Sequence, residues 1–556
     1  PYADALWRIR GWMDRMLGGP GVDRSRQRPR PRKAGLRIDF WVVESVDPPH
    51  ALELKTDLRM PGSGALRVDV VPNGTGSTVT LTASFEPRGP LGPLYLFGLY
   101  PIHDFVFRGT LRAIAREADR VAERARRTAP FRPDRTPRNA PCRAACPAGN
   151  DVRGWVALVA QRDRLGLGTD EAYARAFEVL AATNPFPATT GRVCPHPCED
   201  GCNRAPKDGA VAVHSIERFL GDWSLERGLA LPTIPGERRT ETVGVVGSGP
   251  AGLSYAYQMA RRGYPVTVYE RASKPGGMLR WGIPRYRLPE AVIDAEIERV
   301  RRVGVDIVLN AGNGGGASLD ELRSRHDAVF VAIGTQRGRR LGAPGEDLPG
   351  VWSGIDYLRR VHEGDPPDLG ERVVVVGGGD TAVDAARVAR RAGATVEILY
   401  RRGREHMPAI RSEVDDAIAE GVTLEPWSAP AAIEAGPGGR LTVRVHAFEP
   451  GEPDGAGRPR PVRVEGSERE VVADTVLVAV AQQPDWAGLE RTAADAAVQL
   501  GGDVVRAGIA CEAIGVGRRA AEEMDARFRG REAPAGGAGE VAAAAGQTCL
   551  LYTSPS

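Results

Sequence analysis

The stretch Thr242-Val-Gly-Val-Val-Gly-Ser-Gly-Pro-Ala-Gly-Leu253 constrains this chain more than any other. An apolar run passes straight into a glycine-rich turn and then into a segment with helical character, so strand, turn and helix must follow without a spacer. Gly247, Gly249 and Gly252 carry the G-x-G-x-x-G spacing. The first glycine permits the tight turn, the second lets backbone approach a pyrophosphate, and the third lets helix and strand pack closely. An anion would then sit on the helix N-terminus. Taken alone, such a match also describes an ordinary glycine-rich loop. Here the next apolar strand, Val266-Thr-Val-Tyr-Glu270, ends in a carboxylate about 20 residues on, where a ribose hydroxyl needs an acceptor. That context favours a dinucleotide cradle.

The signature recurs in Arg372-Val-Val-Val-Val-Gly-Gly-Gly-Asp-Thr-Ala382, with Gly377, Gly379 and Ala382 in the glycine positions and Asp380 and Thr381 opening the helix. The interval from Gly377 to Tyr400 equals that from Gly247 to Glu270, so Tyr400 stands where the first cradle has its carboxylate. Arg401 and Arg402 follow it. A carboxylate repels a 2′-phosphate and a guanidinium fork binds one, so the first cradle suits FAD and the second NADP. The alternative for Arg401 and Arg402 is a solvated strand end. Two such repeats predict an α/β fold with two nested Rossmann-like domains, the NADP domain inserted into the FAD domain. The FAD fold is expected to be left near residue 340, after the strand in Val329-Phe-Val-Ala-Ile-Gly-Thr335, and resumed near residue 472.

A chain of 556 residues is too long for one core. Its 74 basic and 71 acidic residues leave a net charge of +3, which makes no general case for nucleic acid or membrane binding. No long apolar run or signal peptide is visible, so a cytoplasmic protein is expected. Residues 1–128 read as a separate unit: Ala51-Leu-Glu-Leu-Lys, Leu66-Arg-Val-Asp-Val-Val and Ser77-Thr-Val-Thr-Leu-Thr alternate as antiparallel strands do. Asn73-Gly74 signals a hairpin, and a basic amphipathic helix is expected from about Phe105 to Arg127. His103 and Asp104 there read as packing and capping residues. Residues 129–141 form a proline-rich basic linker.

Five of the seven cysteines cluster: Cys142 and Cys146 precede a helical segment, and Cys194, Cys198 and Cys202 follow it, while Cys511 and Cys549 stand apart. Such clustering favours metal over disulfide. A spacing of four places thiolates on one face of a helical turn, where several can meet one iron-sulfur cluster, and zinc is the alternative.

Several longer motifs now carry a resemblance: Ala145-Cys-Pro-Ala-Gly149, Asn184-Pro-Phe-Pro-Ala188, Gly191-Arg-Val-Cys-Pro-His-Pro-Cys198, Ser215-Ile-Glu-Arg-Phe219, Gly276-Gly-Met-Leu-Arg-Trp-Gly-Ile-Pro-Arg-Tyr-Arg-Leu-Pro289 and Tyr400-Arg-Arg. Over about residues 139–530 the chain resembles the NADPH-dependent glutamate synthase small subunit family, which includes the electron-input half of dihydropyrimidine dehydrogenase. Residues 1–128 resemble the small α+β domains of the DUF2867 type. The resemblance implies FAD, NADPH and a 4Fe-4S cluster, with electrons leaving to an acceptor such as a glutamate synthase large subunit. It implies a cluster near the flavin on Cys146, Cys194 and Cys198, with a non-cysteine ligand at Glu217 in some members. Cys142 and Cys202 would belong to a second cluster or substitute as ligands. The further thiolates of that second site have no counterpart, so one cluster is expected.

By the same resemblance Gly277, Met278 and Leu279 line the flavin, Gly502 and Asp503 close over it, and Ala513 and Ile514 begin a helix, starting near Glu512, that points at it. Asp503 would accept from a ribitol hydroxyl. The expected domains are 1–128, linker 129–141, a helical iron-sulfur domain 142–236, FAD-binding 240–345, NADP-binding 346–470, FAD-binding again 471–530, and a disordered or artefactual tail 531–556. The family places a longer segment, including a strand, where this chain has only residues 486–500. A damaged flavin seat would make the chain a ligand-binding or redox-sensing adaptor instead. No side-chain constellation for acid-base or nucleophilic catalysis is expected, and His196 and His406 read as structural.

Overall fold

The structure is a computed structural model that describes residues 34–38, 41–57, 61–73, 76–128, 140–312, 318–455, 457–486, 489 and 497–532. The chain divides into two units, residues 1–137 and 138–556.

In the first unit five strands form an antiparallel meander, Arg37–Ile38, Trp41–Asp47, Ala51–Thr56, Gly62–Asn73 and Gly76–Pro87. The register Asn73↔Gly76 puts the last hairpin where Asn73-Gly74 predicts it. Val43, Leu54 and Leu66 form a small core with Phe107 against it. The helix runs Leu91–Thr128, so the expected start near Phe105 is corrected. Pro101 and an apolar run without helical alternation hid its first turns, which leave Leu94 and Phe97 exposed. Asp104 accepts from Arg108 Nε at 2.8 Å, and the His103 ring lies against Phe107.

In the second unit, helices Val152–Ala160, Thr169–Ala181 and Val213–Glu226 bury Trp155, Leu180 and Leu220 between them. Two parallel five-stranded sheets follow. The first has the order Val498–Leu500, Ala328–Val331, Val243–Val246, Val266–Tyr269 and Val305–Val308. The second has the order Val351–Ser353, Thr475–Val478, Arg372–Val376, Thr395–Tyr400 and Thr423–Pro426. Central strands such as Val243–Val246 and Ala328–Val331 are wholly buried because helices cover both faces, hence their unbroken apolar runs. This is the nested pair of Rossmann-like folds.

Two expectations are corrected. Thr475–Val478 does not resume the first fold; it pairs in parallel with Arg372–Val376 and Val351–Ser353 and completes the second sheet. The crossing between folds lies beyond it, where Gln482–Gln483 pairs antiparallel with Arg337–Gly338. The short segment 486–500 still supplies a strand: Val498–Leu500 aligns in parallel with Val329–Val331 and closes the first sheet. An antiparallel sheet that the sequence reading did not foresee, Ser428–Ala435, Leu441–Pro453, Pro459–Arg463 and Arg469–Ala473, is inserted into the second fold.

The C-terminal helix runs Ala510–Phe528, starting before the expected Glu512. It lies on the first-cradle helix Pro250–Ala260 so closely that a Cβ on Gly517 would stand 2.2 Å from Ala251 O. Ser254 Oγ donates to Ile514 O across the contact at 2.8 Å. Among the described residues no helix is long and apolar enough to cross a membrane. The expected tail, with Cys549, lies outside the described residues from 533 onward.

Candidate functional site

Both cradles open into one cavity of about 1580 Å³ at the carboxyl ends of the two parallel sheets, the place where open α/β folds take their ligands. The three glycines of the first cradle divide the work as their spacing predicts. A Cβ on Gly252 would stand 2.0 Å from Gly247 O, so only glycine lets the helix sit this close to the turn. A Cβ on Gly249 would meet no atom within 4 Å, because that face looks into the cavity. Gly247 and Gly249 line the cavity; Gly252 lies behind them and packs. In the second cradle Gly377, Gly379, Asp380 and Thr381 line it, whereas Ala382 is buried in the core.

Neither cradle helix has a side-chain N-cap: Gly249 precedes Pro250–Ala260 and Gly379 precedes Asp380–Arg391. Their first N–H groups therefore keep their capacity for an anion. Asp380 instead accepts from Ile410 N at 2.9 Å, and Gln482 Nε2 donates to Thr381 Oγ1 at 2.9 Å, tying the crossing to the second cradle.

Glu270 lines the cavity but is already engaged, accepting from Ser248 N at 2.9 Å, from Ser248 Oγ, and from Ala272 N at 2.7 Å. It braces the glycine turn as well as facing the ligand space. Gly277, Met278, Leu279, Gly502 and Ala513 line the same cavity, whereas Ile514 is fully buried and turned away. Asp503 is part of the wall; burial pushes its carboxyl up to about 6, partly offset by the Gly508 N–H it accepts at 3.2 Å.

Arg401 and Arg402 diverge. Arg402 is 9% exposed; its Nε donates to Pro459 O at 3.0 Å and its Nη2 to Asp454 at 3.1 Å, binding the inserted antiparallel sheet to the strand end. Arg401 is exposed on the cavity wall, which Arg402 also lines, and the insertion contributes Arg458 to the same wall. Sequence reasoning missed Arg458 because nothing local announces the inserted sheet. It also missed Arg287, which reaches from the Gly276–Pro289 segment to donate to both oxygens of Asp384 at 2.8 Å and pairs with Glu413 at 3.0 Å.

A second, smaller cavity lies in the helical region, lined by Cys146, Cys194, Cys198, Glu217, His196 and Cys511. Of the five clustered cysteines, Cys142 and Cys202 do not line it. The argument from a spacing of four is corrected as well. Cys194 follows the helix Pro187–Val193, whereas Cys198 lies in the separate turn Pro197–Asp200, so the two approach by chain reversal at His196, whose φ is 53°. Cys511, which stands apart in sequence, has its Sγ 3.4 Å from that of Cys194. Burial pushes the Cys146 thiol up to about 11 and the Cys198 thiol higher still, whereas the Cys511 contact and then the His196 side chain lower that of Cys194. Glu217 accepts from Asn184 Nδ2 and Thr190 Oγ1, each at 2.9 Å. Among the described residues no group of three or more His, Cys, Asp or Glu closes around a single ion.

The two cavities share a wall. Val193 lines the large one and Cys194 the small one; Ala510 lines the large one and Cys511 the small one.

Comparison with known proteins matches residues 241–508 to the pyridine nucleotide-disulphide oxidoreductase family, residues 117–229 to dihydropyrimidine dehydrogenase domain II with its 4Fe-4S cluster, and residues 1–110 to the DUF2867 family of unknown function. The NADPH-Fe(3+) oxidoreductase subunit beta of Geobacter sulfurreducens is 39% identical over 62% of this chain, which spans only 51% of that protein. The glutamate synthase NADPH small chain of Azospirillum brasilense is 38% identical, over 62% of this chain and 73% of its own length. That of Escherichia coli K12 is 34% identical, over 68% of this chain and 87% of its own length. With two dinucleotide cradles on one cavity and clustered cysteines behind its wall, the chain belongs to the glutamate synthase NADPH small chain family of flavoprotein oxidoreductases.

Proposed function

We propose that this chain is an NADPH oxidoreductase in which FAD takes hydride from NADPH and a 4Fe-4S cluster carries single electrons onward to a partner subunit, such as a glutamate synthase large subunit, or to another redox acceptor. The observation that carries this reading is the shared wall: ligands on both cradles meet in one space, and the cysteines stand directly behind it.

The residues present suit these groups. The open face at Gly249 and the uncapped helix N-termini at Gly249 and Gly379 can receive phosphates. The small cavity brings soft thiol donors together, the set that iron-sulfur clusters take. The cofactors supply the redox chemistry when bound, and the chain supplies position and charge. Gly247 and Gly249 hold the flavin pyrophosphate, Glu270 and Asp503 accept from its hydroxyls, and Gly277, Met278, Leu279 and Ala513 wall its ring. Gly377, Gly379 and Thr381 hold the nicotinamide nucleotide, and Arg401 takes its 2′-phosphate. Cys146, Cys194 and Cys198 hold the cluster. We assign residues 142–236 to the cluster domain, 240–345 and the segment from Gln482 to residue 530 to the FAD domain, and the intervening residues to the NADP domain.

The test is an anaerobic visible spectrum of the purified chain before and after NADPH, with iron and sulfide analysis. Flavin bands that bleach on addition, in protein containing iron and sulfide, are the expected result. A protein without flavin, or flavin that stays oxidised with NADPH, overturns the reading.

A further inference from the structure

Residues 276–289 wall the large cavity through Gly277, Met278 and Leu279, and near their end three consecutive side chains grip the second Rossmann-like fold. Arg285 Nη2 donates to His362 O at 2.8 Å, in the last turn of the helix Gly354–Glu363. The Tyr286 ring meets two guanidinium groups of the second-cradle helix Asp380–Arg391, Arg391 at 3.7 Å and Arg387 at 5.0 Å from its centroid. Arg287 goes deepest. Its Nη1 donates to both oxygens of Asp384 at 2.8 Å and its Nε lies 3.0 Å from Glu413, while the Arg287 and Asp384 side chains are only 7% and 5% exposed. Glu413 also accepts from Arg387, which holds Glu420 at 2.7 Å. The carboxylates are thus fixed within the second fold, and Arg287 reaches them from the first. Arg287 and Asp384 both line the large cavity, one from the segment that walls the flavin space and the other from the helix behind the second cradle.

The chain crosses between the two folds twice, and the crossings pair with each other as Arg337–Gly338 and Gln482–Gln483. A two-stranded ribbon of this length does little to fix an angle, so side chains elsewhere must do so. We propose that Arg285, Tyr286 and Arg287 form a clasp between the folds, and that Arg287 is a positioning residue whose pairing with Asp384 sets how closely the two bound dinucleotides approach. This rests on the reading of the chain as a flavoprotein that NADPH reduces. A guanidinium held on both oxygens of a carboxylate fixes orientation as well as distance. Burial pushes the Asp384 carboxyl up and Arg287 opposes the shift, so an Asp384 deprived of this partner must take a proton or reach water by parting the folds. Either outcome loosens the clasp. The pair leaves nucleotide affinity to other groups, because its charges are spent on each other, whereas the uncapped helix start at Gly379 and the exposed Arg401 are untouched by its loss. The clasp therefore governs rate more than affinity, and a misplacement of about 1 Å between reacting groups costs on the order of a hundredfold.

The experiment compares the full chain as wild type, Arg287→Met, Asp384→Asn, the R287M/D384N double variant and Arg285→Ala. Stopped-flow absorbance gives the limiting rate of flavin bleaching by NADPH, titration with NADP+ gives its dissociation constant, and hydrogen exchange read by mass spectrometry reports the clasp without turnover. R287M is expected to lower the limiting rate by about tenfold to a hundredfold, with wild-type flavin content and an NADP+ dissociation constant within about threefold of wild type. Its exchange should rise in residues 276–289 and in the helix Asp380–Arg391, while the strands Val243–Val246 and Arg372–Val376 keep their protection. D384N should be slow as well, and the double variant no slower than the slower single one, as two ends of one contact require. R285A alters a side chain that is 54% exposed, so it keeps the fold and tests the clasp even where R287M is insoluble. It should slow bleaching by a smaller factor, about threefold, and raise exchange in the same residues. A wild-type limiting rate in R287M, or in R285A where R287M is insoluble, overturns the clasp. Rate losses matched by equal losses of NADP+ affinity, or losses that multiply in the double variant, overturn it too. Wild-type flavin that NADPH does not bleach overturns the underlying reading instead, and the exchange of R287M then decides the clasp by itself.

Discussion

Arg401 and Arg402 show how neighbours of one type on one cavity differ in what else they hold. Both were legible as a pair suited to a 2′-phosphate, and both line the cavity just beyond the strand Thr395–Tyr400. Arg402 is buried and also anchors Asp454 and Pro459, whereas Arg401 is exposed. Charge-assisted hydrogen bonds are worth about 1.5–3 kcal/mol. Arg401→Ala is therefore expected to raise the KM for NADPH by about tenfold to a hundredfold, leaving the KM for NADH and the melting temperature nearly unchanged. Arg402→Ala is expected to lower the melting temperature, since it removes the buried tie to Pro459 and one of the two guanidinium partners of Asp454, leaving Arg458 as the other. Steady-state kinetics with both nucleotides, alongside thermal melts, separates the two outcomes; equal kinetic effects of the two variants would sink the division. Arg458 enters the same wall from a hairpin. No residue near it in sequence reveals that placement.

At the scale of the element, the strand-turn-helix unit around Gly247 is the best-read part of the chain, because its geometry is set by contacts between residues close in sequence. Gly252→Val is expected to give insoluble or unfolded protein, since a Cβ 2.0 Å from Gly247 O forces helix and turn apart. Gly249→Val adds its side chain to open space, so the fold should persist while flavin content falls to a small fraction of wild type. Circular dichroism and flavin absorbance on the two variants check this, and a flavin-replete G249V protein would contradict the cradle. Elements whose partners lie far away were read less well. The apolar run at Thr475–Val478 has the same local pattern whichever sheet takes it, and only its register with Arg372–Val376 settles the choice. The exposed first turns of the helix Leu91–Thr128 escaped notice for the related reason that helical alternation needs a buried side.

Across the second unit, the helical cysteine region is tied to the first Rossmann-like fold by Glu296, on the helix Glu290–Arg302. It accepts from Ala188 N at 2.7 Å and Thr189 N at 3.0 Å at the start of the helix that leads to Cys194. Burial pushes this carboxyl up to about 7 from an ordinary 4.5. A raised carboxyl holds its proton more tightly in the folded chain. Its contribution is thus complete below about pH 4.5 and is lost as pH rises to about 7, by roughly 3 kcal/mol at 1.36 kcal/mol per pH unit. Glu296→Gln is expected to lower stability at pH 5 through the lost acceptor and to flatten the fall in melting temperature between pH 5 and 7. Parallel pH slopes for variant and wild type would contradict the raised value. The sequence by itself determined the two cradles, their order and the alternating strands of the first unit, because spacing along a chain dictates local backbone geometry; the choice of Cys146, Cys194 and Cys198 among the clustered cysteines came from the family resemblance. Tertiary structure alone decided that Thr475–Val478 joins the second sheet, that Arg402 is tied to the inserted sheet, and that Cys511 meets Cys194 across 317 positions. Those outcomes depend on which buried surfaces close on one another, and no local period records that choice.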